Sequence, residues 1–281
     1  MAPDTVNSEF LETNREGWNI RTPIHVKSEF YDIEAFRKKG KLSLKPPELK
    51  LLGDLKGKQL LHLQCHFGLD TLSLSKLGAV TTGVDFSEAA IAEACILSNE
   101  TKIPSTFICA DVQDLYIRIL GEFDIVYTSY GVLPWIENLN YWAKGIVNNL
   151  KPGGRFILIE YHPVVDLMHD GQISGLNTYF GHGEPNGKWV SGTYTDRSAP
   201  IKFKRYTWQH NISEVITALL TVGLIIRDIC EYPFCSYPLF PELEMQKDGV
   251  WFPKDCAQRI PYMYSLVAEK ISIIRMEDKD Q

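Results

Sequence analysis

A chain of 281 residues with 44% hydrophobic and 23% charged residues has the composition of a globular protein with a substantial core, not of a disordered one. Its formal charge is −6, and its longest basic cluster is Lys38, Lys39 and Lys41, so nucleic-acid binding through bulk electrostatics is excluded. No stretch approaches the roughly 20 apolar residues of a membrane span, and residues 1–12 carry acids without the apolar segment of a signal peptide. The six cysteines (65, 95, 109, 230, 235 and 256) are scattered without a C-x-x-C pair, as expected of free thiols in the cytoplasm. His62, Cys65 and His66 lack a second ligand cluster, and no metal site is expected.

Residues 8–53 read as helical, with Trp18, Phe30, Tyr31 and Phe36 as apolar anchors and Pro46-Pro47 opening a short last helix. A regular alternation follows. Residues 60–63 form a strand, 69–77 a helix, 80–84 a strand, and Ser87 caps a helix to about residue 98. Strands are predicted over 105–109 and 123–129, with a weak helix over 115–120 between them. Leu139, Trp142, Ala143, Ile146, Val147 and Leu150 mark an amphipathic helix that stops at Lys151-Pro152-Gly153-Gly154. Residues 155–161 are the fifth strand.

Residues 162–210 break the rhythm: they are irregular, rich in Gly, His and aromatics, and a strand is expected only near 202–208. Asn211 and Glu214 have capping-box spacing for a helix to 223, and strands over 224–230 and 262–268 end the pattern. Strands alternating with helices imply an α/β fold: a mostly parallel sheet with helices on both faces. Three regions are expected: an N-terminal helical lid (1–53), a nucleotide-binding domain (54–281), and within it a substrate cap (162–210).

Such sheets bind ligands at the carboxyl ends of their strands. The first strand runs into Gln64-Cys65-His66-Phe67-Gly68-Leu69-Asp70, and the second into Asp85-Phe86, 17 residues beyond Gly68. An acid at about that spacing is where a ribose-binding carboxylate belongs, although it also serves as a helix cap. The third strand ends in Asp111-Val112, a second acid at the same edge.

Together these strand ends resemble the class I S-adenosylmethionine-dependent methyltransferases, which have a Rossmann-like seven-stranded sheet. The likeness covers about residues 57–161 well and the last helix and strands more loosely. It implies S-adenosylmethionine as cofactor, with Gln64, Cys65, His66 and Gly68 in the turn beside the methionine part. Asp85 would hold the ribose, Phe86 would pack on the adenine, Asp111 and Val112 would meet its edge, and Ser129 would face the methyl donor. Leu150-Lys151-Pro152-Gly153-Gly154 is similar to the loop before the family's fifth strand. The chain departs from the pattern in having His62 for an acid and Gln64 and His66 for two glycines. The methionine ammonium would then fall to backbone carbonyls or to Asp70.

The implied reaction is methyl transfer to an O or N atom of a small molecule, by a monomer or homodimer. It requires alignment more than acid–base chemistry. Where a base is used, His162 and His210 are the candidates at the active edge. Tyr31, Tyr130, Trp135 and Tyr161 are expected to wall the substrate pocket. Two alternatives share the sheet: a nicotinamide-dependent oxidoreductase, disfavoured because side chains occupy its glycine positions, and a non-catalytic nucleotide-binding protein.

Overall fold

The middle of the chain's main sheet is β1 (Gln59–Leu63), which pairs in parallel with β2 (Val80–Asp85) on one side and β4 (Phe123–Ser129) on the other. The computed structural model describes residues 8–169, 172–173, 178–181, 183–247, 249–254 and 260–272. Cys256 and His182 lie outside them. β3 (Thr106–Cys109) extends the sheet beyond β2, and β5 (Leu150–Tyr161) extends it beyond β4. Beyond β5 come β13 (Met263–Lys270), which is antiparallel to it, and β10 (Leu224–Tyr232), antiparallel in turn to β13. The seven-stranded order is β10-β13-β5-β4-β1-β2-β3, so the direction of winding reverses between β1 and β4.

The period-2 pattern of these strands divides the core into two layers. Leu61, Leu63, Val126, Phe156 and Leu158 pack under α6 (Leu139–Asn149) and α7 (Ile212–Thr221). Leu60, Ile125, Tyr127, Ile157 and Ile159 pack on the other face, with α3 (Pro46–Leu52) and α4 (Leu69–Lys76). α5 (Glu88–Thr101) begins where expected: Ser87 Oγ accepts from Ala90 N at 3.1 Å. The Asn211–Glu214 capping box also forms, with both bonds at 3.0 Å.

Several expectations are corrected. Residues 8–53 form three helices, α1 (Ser8–Val26), α2 (Ile33–Lys39) and α3, because Asp32, Gly40 and Gly53 take left-handed backbone at the breaks. The weak helix at 115–120 is a 3-10 turn over Val112–Tyr116. β5 starts at Leu150, so Pro152 and the two glycines lie in the strand's irregular first half, where its pairing with β4 shifts register. Residues 162–210 hold more order than their composition indicates. A 3-10 turn (Pro163–Leu167) and a small ladder of β6 (Met168–His169) with β7 (Gln172–Ile173) precede the hairpin of β8 (Asn186–Ser191) and β9 (Lys202–Thr207). β11 (Leu243–Met245) and β12 (Trp251–Pro253) make another small ladder between β10 and β13.

α1 is fastened at two points. Asn14 pairs with the backbone of Tyr206 on β9, donating through Nδ2 and accepting through Oδ1, each at 2.8 Å. Asn19 Oδ1 accepts from Ser87 Oγ at 2.6 Å and from Ala89 N at 3.2 Å at the start of α5. The helix therefore lies across the carboxyl ends of β1 and β2, between the sheet and the β8–β9 hairpin.

Candidate active site

Where the winding reverses, the loops leaving β1 and β4 diverge and open a crevice. Three residues there adopt positive φ without being glycine: Gln64 (φ 53), His66 (φ 50) and Tyr130 (φ 51). Each costs on the order of 1–3 kcal/mol unless its surroundings enforce it. The turn after β1 thus keeps a glycine-like backbone while carrying side chains. It is pinned by Asp85 Oδ2, which accepts from His66 N at 2.8 Å, and by Gln64 Nε2, which donates to Val132 O at 3.0 Å. The loop after β4 is held by Glu160, buried on β5. Its carboxylate accepts from the backbone N–H of Gly131, from Val132 at 2.8 Å, from Leu133 at 3.1 Å and from Tyr161 at 2.7 Å.

The crevice is a cavity of about 540 Å³. Its floor is the strand ends: Gln64, Cys65 and His66 after β1, Asp70 on α4, Asp85 and Phe86 after β2, and Ser129 on β4. Tyr130, Trp135 and Tyr161 wall one side, while Trp18 and Arg21 of α1, with Phe30 and Tyr31, cover it. Tyr194, Arg197 and Arg205 from the β8–β9 hairpin and Tyr237 complete the enclosure. All four expected substrate-wall residues are therefore on one cavity, together with seven of the expected cofactor residues.

Five expected residues do not line it. Gly68 caps α4 at φ +77, and a Cβ there would come within 2.6 Å of the Phe107 ring and 2.9 Å of Ala94, so helix–strand packing requires the glycine. Asp111 accepts from Gln113 N at 3.0 Å and from Gln113 Nε2 at 3.2 Å, and Val112 is buried beneath α6. His162 has both ring nitrogens occupied: Nε2 lies 3.0 Å from Glu231 and Nδ1 accepts from Val164 N at 3.1 Å. His210 Nε2 donates to Ile136 O at 2.7 Å. Neither lines the cavity.

Two histidines line it, His62 of β1 and His66 of the turn, and His66 is bonded in turn to His25 of α1. His66 Nε2 lies 2.8 Å from His25 Nδ1, and His25 Nε2 lies 2.5 Å from Thr193 Oγ1 in the hairpin loop. His66 Nδ1 is buried without a hydrogen-bond partner, and so is Gln64 Oε1. Burial pushes His25 down to about 3 and His66 well below the usual imidazole range, with Arg21 lowering both, so both rings are neutral at pH 7. Asp85 is pushed up to about 6 by burial, against the pull of the backbone N–H groups it accepts from.

α1 supplied what sequence reasoning missed. Asn14, Gly17, Arg21 and His25 recur at helical spacing and are all buried, so this helix turns a polar stripe inward. That inversion of the usual amphipathic pattern was the available signal. Glu160 left none, because one acid at a strand end does not reveal four backbone donors.

Residues 61–158 match the family described as "Methyltransferase domain". The ubiquinone biosynthesis O-methyltransferase of Coxiella burnetii is 33% identical over 101 residues, which are 36% of this chain and 42% of that protein. An uncharacterized methyltransferase of Synechocystis sp. is 33% identical over 108 residues, 38% of this chain and 48% of its own. The chain thus spans less than half the length of these curated relatives. Among solved structures, an S-adenosylmethionine-dependent methyltransferase from Listeria monocytogenes superposes with a TM-score of 0.54 at 22% identity, covering 80% of this chain and 97% of its own. Another from Clostridium acetobutylicum gives 0.54 at 16% identity, covering 92% and 98%. The fold is that of the class I S-adenosylmethionine-dependent methyltransferases. The family match over residues 61–158 falls on β1 to β5, the stretch whose strand ends carry the resemblance. Among the described residues, no helix is long and apolar enough to cross a membrane.

Proposed function

We propose that this protein is a cytoplasmic enzyme that transfers a methyl group from S-adenosylmethionine to an O or N atom of a small molecule held in the 540 Å³ cavity. One observation carries the reading: the strained turn after β1, Asp85 and the end of β4 converge on a single aromatic-walled cavity at the reversal point of a methyltransferase fold. The residues present fit the donor. Gln64 Oε1 is a buried acceptor without a partner, suited to the methionine ammonium, and Asp70 lines the same cavity. Asp85 lines the cavity at the end of β2, accepting from the backbone N–H of His66 and Ser87, and its carboxylate is suited to the ribose hydroxyls. S-adenosylmethionine, when bound, supplies a methyl group already activated on its sulfonium.

The chain's own residues align the acceptor, exclude water and take up a proton. The walls of Trp18, Tyr31, Trp135 and Tyr161 hold a flat acceptor against the floor of strand ends. His66 replaces His162 and His210 as the base. With Thr193 Oγ1 as acceptor, His25 carries its proton on Nε2 and accepts at Nδ1 from His66 Nε2–H. His66 Nδ1 is then a free lone pair, able to take the acceptor's proton while Nε2–H stays anchored. The oxidoreductase reading is weaker, since Gln64 and His66 put side chains where a pyrophosphate needs bare backbone.

Calorimetry with S-adenosylhomocysteine and with NAD, followed by transfer of labelled methyl to a metabolite panel, tests the proposal. Binding of NAD in preference to S-adenosylhomocysteine would overturn it.

A further inference from the structure

Arg21 is a buried cation without a counter-ion. It is 4% exposed, and its guanidinium lies 3.8 Å above the Trp18 ring, 4.5 Å from Phe203 and 5.1 Å from Trp135. Nε donates to Gly17 O at 3.0 Å, while Nη2 is buried with no partner. Among the described residues, no carboxylate forms an ion pair with it. A buried charge is ordinarily paired, and a guanidinium presents a planar fork of donors shaped for a carboxylate. The aromatic faces offset part of the desolvation but satisfy none of those N–H groups. Arg205 of β9 lines the same cavity, with Nε also buried and unpartnered, and Arg197 stands at the exposed hairpin loop. Three guanidinium groups therefore face one cavity.

We propose that the methyl acceptor carries a carboxylate, bound in bidentate fashion by Arg21 with Arg205 beside it. The proposal rests on the methyltransferase reading and names its substrate class. Trp18 sets the scale: its ring centre is 3.8 Å from the Arg21 guanidinium carbon and 5.2 Å from the centre of the His66 ring. The anion subsite and the free nitrogen of His66 therefore border the same indole. An acceptor with a carboxylate and a nucleophilic hydroxyl or amine across one aromatic ring spans the two. Its arrival also neutralises Arg21, one of the charges that hold His66 low, so the ring becomes a better base once the acceptor is seated.

The competing source of a carboxylate is the donor's own methionine part, and matched probes separate the two. Calorimetry would compare 3-hydroxybenzoate, 4-hydroxybenzoate, 3,4-dihydroxybenzoate and 3-aminobenzoate with their carboxamides, with and without S-adenosylhomocysteine. The acids should bind the wild-type protein at least tenfold more tightly than the amides. That preference should vanish in Arg21→Met and survive in part in Arg21→Lys. Melting curves establish that each variant is folded. If Arg21→Met does not fold, Arg205→Met should reduce the preference at least threefold, and the wild-type comparison stands without any variant. Equal binding of acids and amides, or no binding of either, overturns the proposal. A tenfold loss of S-adenosylhomocysteine affinity in Arg21→Met with the acid preference intact assigns Arg21 to the donor and also overturns it. Failure of S-adenosylhomocysteine to bind the wild-type protein would strike the methyltransferase reading instead, and the acid preference without it is read separately.

Discussion

His25 and His66, 41 positions apart, share a hydrogen bond of 2.8 Å that joins α1 to the turn after β1. The bond orients the His66 ring, which lines the cavity, and its other nitrogen, Nδ1, is buried without a hydrogen-bond partner. Because Thr193 continues the chain from His25 at 2.5 Å, one line of polar contacts ties the sheet, the N-terminal helix and the β8–β9 hairpin together. Three regions that read as separate in sequence thus meet at one imidazole pair.

His66→Ala should lower kcat by roughly 10²–10⁴, the range expected for a lost general base. S-adenosylhomocysteine affinity should stay within a few-fold, and added imidazole should restore part of the rate. A packing role would not respond to imidazole. Unchanged kcat in a folded variant would remove His66 from proton transfer.

Asp85→Ala should weaken S-adenosylhomocysteine binding by on the order of 1.5–3 kcal/mol, the value of a charge-assisted hydrogen bond. It should also lower the melting temperature, because His66 N and Ser87 N lose their acceptor. Calorimetry and melting together separate the two effects. Full donor affinity would exclude a ribose contact.

Glu160→Gln tests the support beneath the loop after β4. An amide presents one acceptor and two donors to four converging N–H groups, so at least one donor is left unmet. Stability should fall by on the order of 2–4 kcal/mol, and KM should rise because Trp135 and Val132 shift. A melting temperature equal to wild type would show that the loop is held by other contacts.

The sheet was legible because parallel strands buried on both faces read as short apolar runs. Leu60–Leu63 and 123–129 could be placed from composition alone. Asp85 and the turn before it were legible from spacing. The proposed base was not: the expectation rested on His162 and His210, which follow the fifth strand and precede the last helix, but neither lines the cavity, and their rings bond to Glu231, Val164 and Ile136. His25 and Arg21 gave the opposite failure. They lie on a helix far from the glycine turn in sequence, and only the packing of α1 across β1 and β2 brings them in. Of the β8–β9 hairpin, β9 was legible from the alternation over 202–208, whereas β8 escaped notice because it is largely exposed and lacks apolar alternation.

Glu48 provides a pH test that does not depend on the reaction. It is 1% exposed beneath the cavity, where Lys45 N donates to one carboxylate oxygen at 2.6 Å and the Tyr127 hydroxyl to the other. Burial, and then the nearby Asp70 carboxylate, push it up from 4.5 to about 8. The folded protein therefore keeps a proton that the unfolded chain releases above about 4.5, so this group's contribution to stability declines as pH rises and levels off near 8. The slope is at most about 1.4 kcal/mol per pH unit. Asp85 and Asp111, each at about 6, add a decline of the same sign at lower pH. Between about pH 6.5 and 8 the Glu48 contribution should fall by on the order of 1–2 kcal/mol, against an opposite rise from buried neutral histidines such as His25, His62 and His66, so it is read as a difference between wild type and a variant. Glu48→Gln, which keeps an acceptor for Tyr127 and cannot ionise, should gain on the wild type by that amount from pH 6.5 to 8. Parallel slopes for the two proteins would mean that Glu48 is ionised in the folded state at neutral pH.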